Sequence, residues 1–163
     1  MCEPGQLTLA LADEAATRAA GAALAAALLA VDPPAVFVTI AGELGAGKTT
    51  LVRGLIEALG VAGPVRSPTY TLIETYAAGA RRVHHLDWYR LAGPDDLEGV
   101  GFRELLGAGD WLVAEWPERA APVAAQADLA IDLVYAGAGR RLTARALTAR
   151  GGLIAHRWIQ GNA

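Results

Sequence analysis

Leu7, Leu9 and Leu11 alternate with Thr8 and Ala10, the two-residue period of a strand with one buried face. Beyond Ala12 the period changes. Asp13 is placed to cap a helix, the apolar run Ala19–Val31 continues it, and Pro33-Pro34 must stop it. Ala35–Ala41 (AVFVTIA) is short and apolar throughout, as expected of a central strand buried on both faces. Thr49–Leu59 returns to helical spacing, with Leu51, Leu55 and Leu59 stacked beside Val52 and Ile56 and Gly60 set for a left-handed cap. Thr71–Tyr76 and Arg82–Trp88 read as strands joined by a turn at Gly79. Pro94–Leu106 reads as a helix interrupted at Gly99 and Gly101, and Trp111–Ala114 as an apolar strand ended by Glu115-Trp116-Pro117. Leu129, Ile131, Leu133 and Tyr135 alternate, and a turn over 136–139 predicts a hairpin with Leu142–Leu147. Arg150–Trp158 follows neither period clearly, and no element is assigned to 150–163.

Strand, helix, strand, loop, helix and then a strand-rich half is the order of an α/β fold. The expected sheet is mixed and central, flanked by helices, with a parallel core built on the strand–loop–helix unit and antiparallel additions. No internal repeat or linker breaks the chain, and 163 residues suit one domain, 1–163, around a single core. Composition changes this little: 53% hydrophobic and 19% charged is a globular balance, although alanine supplies much of the apolar share. Charge changes it more. The net charge is −3, and basic residues pair only at Arg81-Arg82 and Arg140-Arg141, which argues against gripping nucleic acid unaided. Cys2 is the one cysteine and forms no internal disulfide, in keeping with a reducing compartment. No basic residue precedes Arg18, unlike the start of a signal peptide, and Ala19–Val31 is too short to span a bilayer. A cytoplasmic protein without membrane contact is expected.

The chemistry begins at Gly42-Glu43-Leu44-Gly45-Ala46-Gly47-Lys48-Thr49, which matches the phosphate-loop pattern G-x-x-x-x-G-K-[ST] between a buried strand and an amphipathic helix. Glycines at those positions let the backbone close into a nest of N–H groups around a β-phosphate, and the helix N-terminus adds positive field there. Lys48 is expected on the β- and γ-phosphates, the Thr49 hydroxyl on magnesium, and Thr50 on the α-phosphate. Lys48 is also the sole lysine of the chain: every other basic residue is arginine, yet this slot keeps the slender ammonium that fits the nest. A chain with no second lysine cannot carry the lysine-containing N/T-K-x-D motif that recognises guanine, so ATP is expected over GTP.

Glu115, at the end of an apolar strand, is placed as the acidic partner of magnesium and is able to orient water. Ser67-Pro68-Thr69-Tyr70 follows the first loop-bound helix, where a threonine hydroxyl can sense a γ-phosphate, and His85-Leu86-Asp87-Trp88-Tyr89-Arg90 brings a carboxylate to a strand end. GELGAGKTT, SPTYTLIETY, HLDWYR and AEWPE, in this order and spacing, resemble the bacterial TsaE (YjeE) family over roughly Leu7 to Arg145. The resemblance implies the ATPase component of the machinery that makes threonylcarbamoyladenosine beside the anticodon of tRNAs reading codons that begin with A. It implies TsaD and TsaB as partners, with TsaC supplying the activated intermediate, and contact with tRNA only through that complex. It implies that Lys48 binds phosphate, that Thr49 and Glu115 hold magnesium, that Asp87 is essential for hydrolysis, that Thr69 belongs to a switch-like loop, and that Trp116 packs beside the acid. It also implies a base pocket from the Leu11–Thr17 stretch, including Glu14, and from Gly139 and Arg140. Trp88 departs from the aliphatic residue commoner at its position, and the chain beyond Arg150 follows no family pattern.

Two other classes share the loop. A small-molecule kinase would need an arginine-rich lid, for which Arg81 and Arg82 are the available pair although they lie in an expected hairpin. A non-hydrolysing nucleotide module would leave Asp87 and Glu115 without a task. Catalysis by an ATPase would rest on positioning and charge stabilisation, with Arg90 the candidate for a built-in arginine finger.

Overall fold

In the computed structural model, which describes residues 5–68 and 70–162, the alternating and apolar stretches become β1 (Gln6–Leu11), β2 (Val36–Gly42), β3 (Ile73–Ala78), β4 (Arg81–Asp87), β5 (Trp111–Glu115), β6 (Leu129–Ala136) and β7 (Gly139–Ala146). They form one seven-stranded sheet in the order β1-β7-β6-β2-β5-β4-β3. Strands β6, β2, β5 and β4 run parallel, whereas β7, β1 and β3 join antiparallel at the two edges. The parallel core with antiparallel additions is therefore present. Register brings three neighbouring strand ends together: Glu115 of β5 lies opposite Ile40 on one side and Asp87 on the other. Ligand sites in such sheets form beyond the carboxyl ends of the strands.

The helices are α1 (Glu14–Val31), α2 (Lys48–Ala58), α3 (Phe102–Gly107), the single turn α4 (Ala121–Ala124) and α5 (Ala149–Gly161). Asp13 caps α1, its carboxylate accepting the Ala16 N–H at 2.8 Å. The helix stops at Asp32, ahead of the prolines, because Asp32 turns left-handed and its N–H closes on the Leu28 carbonyl. By length and composition α1 is apolar enough to cross a membrane; here Ala20, Leu24 and Leu28 pack into the core instead. That core joins α1, α2 and α5 to one sheet face through Ile40, Leu55, Ile131 and Trp158. The opposite face carries Phe37, Trp88 and Phe102, whose rings meet edge to face at 5.6 Å around Phe102. Helices α1 and α2 cross at backbone contact: a Cβ on Gly21 would overlap the Leu51 carbonyl, and one on Gly54 the Arg18 carbonyl. Arg18 and Glu57 tie the exposed edge of the same crossing.

Three expectations change. Residues 150–158 lie within α5, capped by the Thr148 hydroxyl on the Gly151 N–H at 3.1 Å, with Gly151, Ile154, Ala155 and Trp158 on its buried face. Pro94–Leu106 is not one helix but a 3-10 turn, Pro94–Val100, divided from α3 at Gly101. The first strand of the β3–β4 hairpin starts late, because Leu72 holds a positive φ of 68° that no extended strand accommodates.

Candidate nucleotide site

Three strand ends and one loop build the site. Strand β2 releases the chain at Gly42, and α2 takes it up at Lys48. Gly47 sits between them at φ 107°, a backbone open to glycine at little cost. It offers α2 no capping side chain, so the first-turn N–H groups remain as the anion site that a helix N-terminus provides. Lys48 folds back over this loop. Its Nζ donates to the carbonyls of Gly42 at 2.7 Å and Glu43 at 2.9 Å, and lies 4.0 Å from the centroid of the Trp116 ring. Burial pulls the Lys48 ammonium below its ordinary pKa, and the carboxylates of Glu115, Glu118 and Asp87 oppose that pull.

Next in the chain, the Thr49 hydroxyl donates to Glu115 at 3.0 Å (Oε1) and 3.3 Å (Oε2). Glu115 is buried, and Oε1 also meets His85 Nε2 at 2.8 Å. Asp87, opposite in register, is buried too. Burial raises its carboxyl above the ordinary value; the Tyr89 N–H, donating to Oδ1 at 3.0 Å, works against this, Glu115 adds to it, and His85 and Lys48 reduce it. Among the described residues no three His, Cys, Asp or Glu side chains are grouped to hold a metal. The paired Thr49 hydroxyl and Glu115 carboxylate are hard oxygens of the kind that bind magnesium when phosphate oxygens complete its shell.

The phosphate loop separates two cavities. One, of about 320 Å³, is lined by Lys48, Thr49, Ser67, Asp87, Glu115 and Trp116 among others. The other, of about 220 Å³, is lined by Glu14, Thr17, Ala46, Gly139 and Arg140 among others; Gly45, Gly47 and Thr50 border both. The β6–β7 hairpin closes onto the loop. Arg140 donates to the Ala46 carbonyl at 3.1 Å and stacks 4.1 Å from the Tyr135 centroid, and the Tyr135 hydroxyl donates to the Leu44 carbonyl at 3.0 Å.

Of the residues expected from sequence, 42–50, Asp87 and Glu115 thus meet around the loop, and Glu14, Gly139 and Arg140 meet on its far side. Thr69 lies outside the described residues. Arg81 and Arg82 are elsewhere: they begin β4, whose other end is Asp87, so they stand about 20 Å from the site at strand rise. There Arg81 pairs with Asp32 over the Trp111 ring and Arg82 pairs with Asp110, which leaves no arginine lid from this pair. Arg90 stacks on Tyr70 at 4.6 Å. Two site residues escape a linear reading. His85 shares the face of Asp87 by strand alternation, and Tyr135 ends an alternating strand beside the Ala136–Gly139 turn; both signals exist but name no partner.

The family described as threonylcarbamoyl adenosine biosynthesis protein TsaE matches residues 11–143. The chain belongs to the TsaE family. The match contains every site residue above, from Glu14 to Arg140, whereas α5 lies beyond it. Proteins named tRNA threonylcarbamoyladenosine biosynthesis protein TsaE are similar in sequence. That of Haemophilus influenzae is 41% identical over 101 residues, 62% of this chain and 64% of its own length. That of Bacillus subtilis is 37% identical over 58% of each chain. That of Treponema pallidum is 37% identical over 65% of this chain and 78% of its own. The chain thus spans somewhat less than two thirds of the first two TsaE relatives. The crystal structure of YdiB from Bacillus subtilis superposes with a TM-score of 0.76 at 27% identity, covering 100% of both chains. A TsaE family member with the YdiB fold is a P-loop protein, and the family implies nucleotide binding.

Proposed function

We propose that this chain binds ATP with magnesium, hydrolyses it slowly, and serves tRNA threonylcarbamoyladenosine biosynthesis by resetting a TsaD–TsaB type complex in the cytoplasm. The observation that carries the proposal is the convergence of Lys48, the Thr49–Glu115 pair and Asp87 on one side of the phosphate loop. Lys48 would exchange the Gly42 and Glu43 carbonyls for phosphate oxygens. Thr49 and Glu115 would hold magnesium, which when bound neutralises phosphate charge. Asp87, buried and pushed toward proton retention, would accept a hydrogen bond from the attacking water and orient it. The cavity beside Glu14, Gly139 and Arg140 would take the base. Among the described residues this catalytic cavity has no arginine in its lining, so slow turnover in the absence of partners is expected. Transfer RNA would be met through the complex, since the chain has a net charge of −3.

Glu115→Gln tests the proposal. It preserves the loop and Lys48 while removing the carboxylate, so ATP binding survives and hydrolysis falls by roughly two to four orders of magnitude. In a reconstituted modification assay with ATP regeneration, the variant joins the complex and supports little beyond one round. Sustained turnover by Glu115→Gln would overturn the resetting role, and phosphorylation of an added acceptor would establish a kinase instead.

A further inference from the structure

Glu115 is held from two sides, and the second holder has no other task in sight. His85 is completely buried, with Nε2 2.8 Å from Glu115 Oε1, while its Nδ1 has no hydrogen-bond partner among the described residues. In the neutral ring this decides the tautomer. A proton on Nδ1 would bury an unpaired donor and set the bare Nε2 lone pair against a carboxylate oxygen; a proton on Nε2 donates to Glu115 and leaves only an unused acceptor. Oε1 therefore receives both short hydrogen bonds, from His85 at 2.8 Å and from Thr49 at 3.0 Å, whereas Oε2 keeps the longer Thr49 contact at 3.3 Å. An apolar side chain would fill the same space without a buried, unused nitrogen, so packing alone does not account for an imidazole here.

We infer that His85 is a positioning residue: its Nε2–H fixes Oε1 of Glu115 and presents Oε2, beside the Thr49 hydroxyl, as the single carboxylate oxygen for the cation. The inference rests on the ATP–magnesium reading above. Hydrogen bonds of this kind to a ligating carboxylate orient it, and their loss typically lowers metal affinity 10–100-fold.

The experiment measures calorimetric affinity for a non-hydrolysable ATP analogue across a magnesium series, in the whole chain and in two variants. His85→Met fills the buried space without a donor. His85→Gln places an amide N–H near the position of Nε2. The half-saturating magnesium concentration rises by roughly 10–100-fold in His85→Met, affinity without magnesium stays at the wild-type value, and His85→Gln recovers most of the loss. Independently, nitrogen NMR of the wild-type imidazole shows His85 protonated at Nε2. Equal magnesium dependence in His85→Met and wild type, no recovery in His85→Gln, or an Nδ1-protonated ring would each overturn the inference. Wild-type affinity indifferent to magnesium would instead remove the cation reading on which it stands, an outcome visible before any variant is made.

Discussion

Lys48 touches two loop carbonyls and the face of Trp116. Replacing it with alanine removes the one lysine contact to a nucleotide, and calorimetry should then detect no tight ATP binding; near-normal affinity would contradict the loop assignment. Asp87 makes a different prediction. Its carboxyl is raised by burial, so the folded state holds the proton more tightly than the unfolded chain does. The stability this contributes is complete below the ordinary carboxylate value and disappears as pH rises through the raised one. Above that, the ionised group costs stability. Asp87→Asn, whose side-chain carbonyl still accepts the Tyr89 N–H, should therefore melt higher than wild type at pH 7, with the gap shrinking to nothing in acid. A constant gap across the titration would mean that the charge is not responsible. At this scale the sequence was readable wherever the chemistry is contiguous: Gly42–Thr49 is a single run, and Asp87 and Glu115 sit at strand ends. The role of His85 was not, because its partner is 30 residues away and nothing in either segment specifies the pairing.

The element that best rewards a test is the α1–α2 crossing, where two glycines allow backbone-to-backbone approach. The crossing joins Glu14 and Thr17, at the start of α1, to the phosphate loop that opens α2. Adding a methyl at Gly21 or Gly54 pushes directly on a carbonyl of the other helix, and neither backbone has a flexible side chain to yield. Each alanine variant should lose about 1–3 kcal/mol despite its better helix propensity. Denaturant unfolding provides the check, and unchanged stability would mean that the helices separate freely. Helix α5 shows why elements can be missed. Its buried positions Gly151, Ile154, Ala155 and Trp158 do follow helical spacing, but Gly151-Gly152 in the first turn are poor helix formers. Tertiary contact supplies the reason: Gly151 must be small because the Asp128 carbonyl lies where its Cβ would be, while Thr148 donates to the Asp128 carboxylate at 2.7 Å. The 3-10 turn at Pro94–Val100 was hidden similarly, since helix and 3-10 share the same start signals.

For the molecule as a whole, the sheet's composition was legible and its order was not. Alternation identified the strands, but the pairing of Gln6 with Arg145, which makes β1 an edge beside β7, joins segments far apart in the sequence and leaves no local trace. Net charge belongs to this scale as well. With −3 overall, the isolated protein should bind tRNA no more tightly than about 10⁻⁷ M in a gel shift at physiological salt, and tighter binding would reveal a basic face absent from the composition. The placement of the tryptophans makes the molecule its own optical reporter. Three of the four, Trp88, Trp111 and Trp158, are at most 1% exposed, whereas Trp116 is partly exposed with the Lys48 ammonium over its ring. On the function proposed above, Lys48 would leave that indole for a phosphate, while the three buried indoles do not touch Lys48. Intrinsic emission would thus follow nucleotide capture in real time against three constant fluorophores, with no label attached.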